Sequence, residues 1–213
     1  MPDVPSLTLP RLVLGSSSPY RRDLLERLGQ PFETRSPDVD ESALPGETPL
    51  ALACRLAEIK ARAVAQGFGD DVVVIGSDQV ADLAGRPLGK PGHHVGAVEQ
   101  LKAMSGQLVR FHTAVCVMRP MTGQVLEAVS SVTVTFRSLS DEDIETYLRR
   151  EQPYDCAGSA KCEGLGIVLL ERIDSDDPTA LVGLPLIATS RLLREAGWDP
   201  LQATANSNDS GKN

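Results

Sequence analysis

The sequence predicts an α/β fold, a twisted sheet flanked by helices, and three observations predict it. Val72-Val-Val-Ile75 is an unbroken β-branched run, too short for a helix and suited to a strand buried on both faces. Arg11–Leu14 is another apolar strand, and it passes through a small-residue loop straight into a capped helix. Leu108–Met118 and Val125–Phe136 alternate apolar and polar residues on either side of Pro120-Met-Thr-Gly123, the pattern of a long hairpin.

The 213 residues suffice for one large domain or for two lobes sharing a sheet. Apolar residues make up 41% and aromatic residues only 4%, so the core is built mainly from Val, Leu, Ile and Ala. A net charge of −8 and a pI near 4.9 argue against binding duplex nucleic acid. A small anionic ligand needs only a local basic cluster and stays open. The chain shows no charged start followed by an apolar segment and no apolar run long enough for a bilayer. No membrane partner is therefore expected. Cys54, Cys116, Cys156 and Cys162 form no C-x-x-C pair and read as reduced thiols of a cytoplasmic protein. The spacing of His93, His94 and His112 matches no zinc site.

A lead-in is expected over residues 1–10, a single domain over 11–201 and a disordered polar tail over 202–213. In Gly15-Ser-Ser-Ser-Pro-Tyr-Arg-Arg22, Ser18 suits an N-cap and Pro19 the first helical position. Leu24, Leu25 and Leu28 give this helix an apolar face, and Gly29 stops it. Free N–H groups, a positive helix end, Arg21 and Arg22 together suit a phosphate. Taken alone, the loop fits an ordinary capped surface helix equally well. Phe32–Pro37 reads as extended. Asp38-Val-Asp-Glu41 offers carboxylates of the kind a hard cation needs, or is a solvated acidic turn. Thr48 caps a helix opened by Pro49, with Leu52, Leu56, Ile59 and Ala63 on one face. Lys60 stands at the border of that face, either snorkelling to water or reaching a phosphate.

After the Val72 strand, Gly76 is expected to let the backbone turn or approach a ligand closely, leaving Asp78 just past the strand's C-terminal end. Ligands bind at that edge of open α/β sheets, so Asp78 is a candidate metal ligand or general base, against the plainer reading of a turn aspartate. A short hairpin, Val80–Leu83 with Arg86–Leu88, leads to Lys90, stiffened by Pro91. A helix is expected over Val95–Met104 and another over Asp141–Glu151, capped by Ser140. Val132, Val134 and Phe136 mark the buried face of the long hairpin. The small-residue stretch Asp155–Gly166 suits a loop against a ligand or a plain connector. A strand follows at Ile167–Ile173, then an acidic loop at Asp174–Thr179, and Gly183-Leu-Pro185 opens a last helix through Ala196.

These segments together resemble the Maf family of nucleoside triphosphate pyrophosphatases. The matching pieces are Gly15-Ser-Ser-Ser-Pro-Tyr-Arg-Arg, Val39-Asp-Glu41, the Lys60 helix, Gly76-Ser-Asp78, Gly89-Lys-Pro91, Ser105-Gly106, Thr133-Val-Thr-Phe-Arg137 and Val182-Gly-Leu-Pro185. In this order they are very specific. The resemblance implies a mixed twisted sheet with two lobes around a deep cleft, usually a homodimer. It also implies hydrolysis of a nucleoside triphosphate to the monophosphate and diphosphate with a divalent cation, Mg²⁺ or Mn²⁺. By the same resemblance Ser16, Arg21 and Arg22 bind phosphate, and Lys60 and Lys90 stand beside the triphosphate. Glu41 and Asp78 are then the carboxylates at metal and water, with Asp78 the proton acceptor.

Branches of the family differ at three positions near the base, which here read Tyr20, Gln79 and Glu163. The pyrimidine branch typically has arginine, threonine and glutamine there. This sequence resembles the branch acting on 7-methyl-GTP, as does Cys156-Ala-Gly-Ser-Ala-Lys-Cys-Glu-Gly164. That branch often carries tryptophan at the position of Tyr20, so an aromatic ring is retained. Two alternatives stand beside this expectation: a nucleotide-binding regulator of cell division, as the family has been linked to septum formation, and a pyrophosphatase for another canonical or modified nucleotide. Glu41, Lys60, Asp78 and Lys90 together favour an enzyme, because a sensor has no need of a water-activating carboxylate.

Overall fold

One long strand holds the sheet together. In the computed structural model, which describes residues 9–69 and 71–202, β3 (Val72–Leu83) pairs with two partners along one edge and a single partner along the other. β1 (Arg11–Gly15) lies parallel to its first half, with Arg11 opposite Val72 and Gly15 opposite Gly76. β4 (Arg86–Leu88) folds back on its last residues, Ala81–Leu83. β5 (Leu108–Arg119) runs antiparallel along the opposite edge. Between β1 and β4, Ser77–Val80 carry no neighbouring strand on that edge among the described residues. The sheet is completed by β2 (Glu33–Thr34) beside β1, β6 (Gln124–Phe136) beside β5 and β7 (Leu170–Asp174) on β6, in the order β2-β1-β3-β5-β6-β7. It is mixed, parallel from β2 to β3 and antiparallel beyond.

Local sequence sets the helices. α1 (Pro19–Glu26) starts with Pro19, and the side chain of its cap, Ser18, accepts from Arg21 N. Thr48 caps α2 (Pro49–Ala65) in the same way. α3 (His94–Met104) is capped by the His93 ring, which accepts from Gly96 N. α4 (Asp141–Glu151) opens on a reciprocal Ser140–Asp143 box. α5 (Leu186–Glu195) follows Pro185.

Three apolar clusters define two lobes. On one face of the parallel half, Val13, Val72 and Val74 pack with Leu52, Leu56 and Ala61 of α2. On the other face, Leu12, Leu14, Val73 and Ile75 pack with Leu24 and Leu25 of α1 and Leu192 and Leu193 of α5. The far end of the sheet forms the second lobe, where Phe111, Val134 and Phe136 meet Leu101 and Met104 of α3 and Ile144 and Leu148 of α4. The all-apolar run Val72–Ile75 is thus buried on both sides, and Val132, Val134 and Phe136 are buried as expected. β3 passes through both lobes, and its bare interval lies between them.

Two expectations change. Gly76 does not end the first strand; β3 continues for seven residues, because β5 supports it after β1 has stopped. Asp78 therefore sits inside a strand, two residues past the end of the parallel ladder. The last strand begins at Leu170, since Leu165–Leu169 form 3₁₀ turns. Of the expected lead-in and tail, only Leu9, Pro10 and Gln202 lie within the described residues. Pro10 is buried, and its carbonyl accepts from Trp198 Nε1 at 3.0 Å.

Gly76 is needed for close approach, by the α2 backbone rather than by a ligand, and not for a turn. A Cβ there would stand 2.5 Å from Ala61 N and 2.8 Å from Ala61 Cβ, and would also meet the Ala57 carbonyl. Gly76→Ala should therefore destabilise the fold by at least the ~1–3 kcal/mol of an overpacked core. Gly69→Ala, with nothing within 4 Å of the added atom, should stay near wild type. Urea unfolding of the two variants checks this; equal midpoints would remove the close-packing argument.

Candidate active site

The bare interval of β3 opens into a cavity of about 550 Å³, within the range of small-ligand sites. Strand alternation sends Asp78 to the α2 face and Gln79 to the opposite face. Because no strand flanks this edge, both side chains reach the cavity. The β1–α1 loop (Ser16–Ser18) and Arg21 form one wall, and Gly89 and Lys90 beyond β4 form another. Asp155, Cys156 and Glu163 close the side belonging to the second lobe.

A buried ammonium organises one end. Lys60 Nζ lies 2.6 Å from Asp78 Oδ1 and 2.8 Å from Glu41 Oε1. Lys60 and Asp78 are buried, whereas the Glu41 side chain keeps 53% of its exposure. Lys60 thus reaches inward rather than snorkelling. Burial pushes the Glu41 carboxyl upward. Donation from Lys60 and the charges of Lys60, Lys90 and Arg21 outweigh it, so the net shift is downward. Arg21 Nε donates to the Gly183 carbonyl at 2.8 Å. Burial lowers the Arg21 pKa, and the charges of Asp78 and Glu41 oppose that shift. Ser16 is buried, and its hydroxyl accepts from Ser18 N at 3.1 Å, which fixes the loop.

The other end is acidic and aromatic. The Tyr20 hydroxyl points at both Asp155 carboxylate oxygens, at 3.3 and 3.4 Å. Burial, then the neighbouring Cys156 and Asp155, raise the pKa of the phenol. Lys161 Nζ stands 5.4 Å from the centroid of the Tyr20 ring and pairs with Glu151. Glu163 lies exposed on the cavity wall. Burial pushes the Cys156 and Cys162 thiols up to about 12, so both stay protonated.

Ser16, Tyr20, Arg21, Glu41, Lys60, Asp78, Gln79, Lys90 and Glu163 all line this one cavity. Arg22 does not. Successive helical residues point about 100° apart, and Arg22 faces solvent, paired with Asp23 at 3.1 Å and Glu26 at 3.6 Å. Gln79 is also less free than its position suggests. Its amide nitrogen is engaged by Thr113 Oγ1 and by the carbonyls of Ala180 and Leu181. Only its carbonyl oxygen, with no partner among the described residues, is left for a ligand. The sequence reading missed the polar groups behind the wall. Ser77 donates to the Ala114 and Gly183 carbonyls, and Thr113 to Ala180. As small hydroxyls within apolar strands they gave no signal beyond alternation. Asp155 was placed only within a small-residue stretch.

A family model described as "Maf-like protein" matches residues 11–196. A protein of Polaromonas sp. (strain JS666 / ATCC BAA-500) called 7-methyl-GTP pyrophosphatase is 65% identical over 186 residues, covering 87% of this chain and 84% of that protein. A protein of the same description from Albidiferax ferrireducens is 62% identical over 193 residues, covering 91% and 96%. One from Burkholderia thailandensis is 55% identical over 204 residues, 95% of each. With the family model spanning both lobes and every wall of the cavity, the chain belongs to the Maf family.

Proposed function

We propose that this protein is a hydrolase acting on acid anhydrides that converts 7-methyl-GTP to its monophosphate and diphosphate, removing a modified nucleotide. The observation that carries the reading is the grouping of charge within one cavity. The charges of Arg21, Lys60 and Lys90 all act on Glu41, and these residues line the cavity with it. Asp155 meets the Tyr20 hydroxyl, and Asp155 and Glu163 both act on Cys156 in the same lining. A triphosphate attached to a cationic base has that same polarity. Relatives of 55–65% identity carry the name 7-methyl-GTP pyrophosphatase.

In this reading Asp78 accepts the proton of a water that attacks the α-phosphorus. The bond from that phosphorus to the α–β bridging oxygen breaks, and the diphosphate leaves with the electron pair. Lys60, fixed between Asp78 and Glu41, holds the acceptor in place, and Arg21 and Lys90 offset charge on the phosphates. Glu41 and Asp78 suit Mg²⁺ or Mn²⁺, since both reach the same ammonium and both supply hard oxygens. Among the described residues no group of three or more His, Cys, Asp or Glu could hold an ion. Two carboxylates with water and phosphate suffice for Mg²⁺. When bound, the ion would neutralise phosphate charge.

Methylation at N7 makes guanine cationic, and an aromatic face attracts a cation. Lys161 covers one face of Tyr20 from outside the cavity lining, which leaves the other face for the base. Glu163 would accept from N1–H and the exocyclic amine of guanine. We extend the proposal to a homodimer in the cytoplasm, on the family resemblance. Among the described residues no helix is long and apolar enough to cross a membrane.

Three outcomes are expected. Asp78→Asn should lower pyrophosphate release by about 10²–10⁴-fold, the usual loss of a general base; near-wild-type turnover would remove Asp78 from the mechanism. Activity should need added Mg²⁺ or Mn²⁺ and vanish in excess chelator, and full activity in chelator would exclude the metal role of Glu41 and Asp78. On a panel of 7-methyl-GTP, GTP, dTTP and UTP, the wild type should favour 7-methyl-GTP, and Glu163→Gln should lose most on the guanine nucleotides. A wild-type preference for dTTP would overturn the substrate, and equal losses on all four would sink the role of Glu163.

A further inference from the structure

Arg21 is held by a backbone carbonyl, and two of the residues that brace the turn carrying it, Asp177 and Thr179, are not in the cavity lining. The short turn Ala180–Val182 and Gly183 accept five hydrogen bonds from the sheet and α1. Ala180 O accepts from Thr113 and Gln79, and Leu181 O from Gln79. Gly183 O accepts from Arg21 Nε at 2.8 Å and from Ser77 Oγ at 3.2 Å. The Arg21 guanidinium has no other hydrogen bond among the described residues, so its two terminal NH₂ groups remain for a ligand. Gly183 has φ +125°, which glycine reaches without a side-chain penalty; its backbone is freer than that of other residues, so the direction of its carbonyl depends on support from the groups around it.

That support is a buried carboxylate. Asp177 is only 4% exposed. Its Oδ1 accepts from Thr179 N at 3.0 Å and from Thr179 Oγ1 at 2.6 Å. Its Oδ2 accepts from Ile187 N, in the first turn of α5, at 2.8 Å. Thr179 Oγ1 in turn accepts from Leu186 N at 2.8 Å and lies 2.9 Å from Leu184 O. Residues 177–179 and 184–187 are thus knotted together on both sides of the turn. We propose that Asp177 is a positioning residue for phosphate binding: its carboxylate clamps the turn to α5, and the clamped Gly183 carbonyl aims the Arg21 guanidinium into the cavity. The inference rests on the reading that Arg21 contacts phosphate. An ordinary helix cap would contribute stability alone; a positioning residue changes anion affinity, and only through Arg21.

The test is calorimetric titration of inorganic tripolyphosphate, with Mg²⁺ in the buffer, into wild type, Asp177→Asn, Arg21→Lys and the double variant. An asparagine would turn an NH₂ group toward N–H or O–H donors. Asp177→Asn should weaken binding about tenfold, the scale of one charge-assisted hydrogen bond. Arg21→Lys should weaken it at least as much, and the double variant should be no weaker than Arg21→Lys alone. Unchanged affinity in Asp177→Asn, or losses that multiply in the double variant, would overturn the inference, as would a wild type that fails to bind tripolyphosphate. If Asp177→Asn does not fold, Thr179→Val and Thr179→Ser carry the same test. Val should weaken binding and Ser should retain it, and identical affinities would overturn the proposal. Coupled tripolyphosphate binding without hydrolysis of any nucleotide would sustain this inference and overturn the proposed activity.

Discussion

The close approach of α2 to β3 at Gly76 is the constraint on which the rest depends. Ala57 and Ala61 on the helix face a residue with no side chain, so the two backbones come nearly into contact. Lys60 precedes Ala61 on the helix, and Asp78 lies two residues beyond Gly76 on the same face of the strand. A helix held this low over the sheet delivers the ammonium within 2.6 Å of the carboxylate. A side chain at Gly76 would push against Ala57 and Ala61, raise the helix and separate the pair. The packing and the site are one arrangement.

The elements that could be read from the sequence are those fixed by local chemistry. Ser18, Thr48 and Ser140 cap the helices they were expected to cap, because a side-chain oxygen meeting an unsatisfied N–H is a neighbour effect. The all-apolar run at Val72 marked a doubly buried strand for a similar reason. The end of β3 in a hairpin with Arg86–Leu88 was legible, but its continuity through Gly76–Gln79 was not, because that is decided by pairing with β5, distant in the chain. Lys60 and Asp78 were legible as candidates, but their pairing at the floor of a cleft was not. Arg21 and Arg22 were equivalent in the sequence; helical geometry sends one to the cavity and the other to Asp23 and Glu26. Asp177 was hidden in a stretch that reads as an acidic surface loop, yet both of its oxygens are enclosed by donors.

Net charge is a poor guide to what this protein binds. The chain carries −8 overall, but Arg21, Lys60 and Lys90 line the cavity and their charges all act on Glu41. The excess acid is spread over the surface, where water and salt screen it. Inside the cleft, screening is weaker and the few basic groups dominate locally.

The triad of Glu41, Lys60 and Asp78 ties the geometry of the cavity to folding. Lys60 and Asp78 are buried, and neither has enough contact with water to replace a lost partner. Glu41 remains half exposed on a segment without regular structure, so it can leave Lys60 and be solvated. The three charges are therefore not equivalent. Truncating Lys60 strands the buried Asp78 carboxylate and loads the cost onto the fold. Truncating Glu41 leaves the inner pair intact and acts on the cavity alone. The exposed member is the one free to exchange its ammonium partner for other groups without disturbing the helix and strand beneath it, and the buried pair supplies the fixed platform against which that exchange occurs.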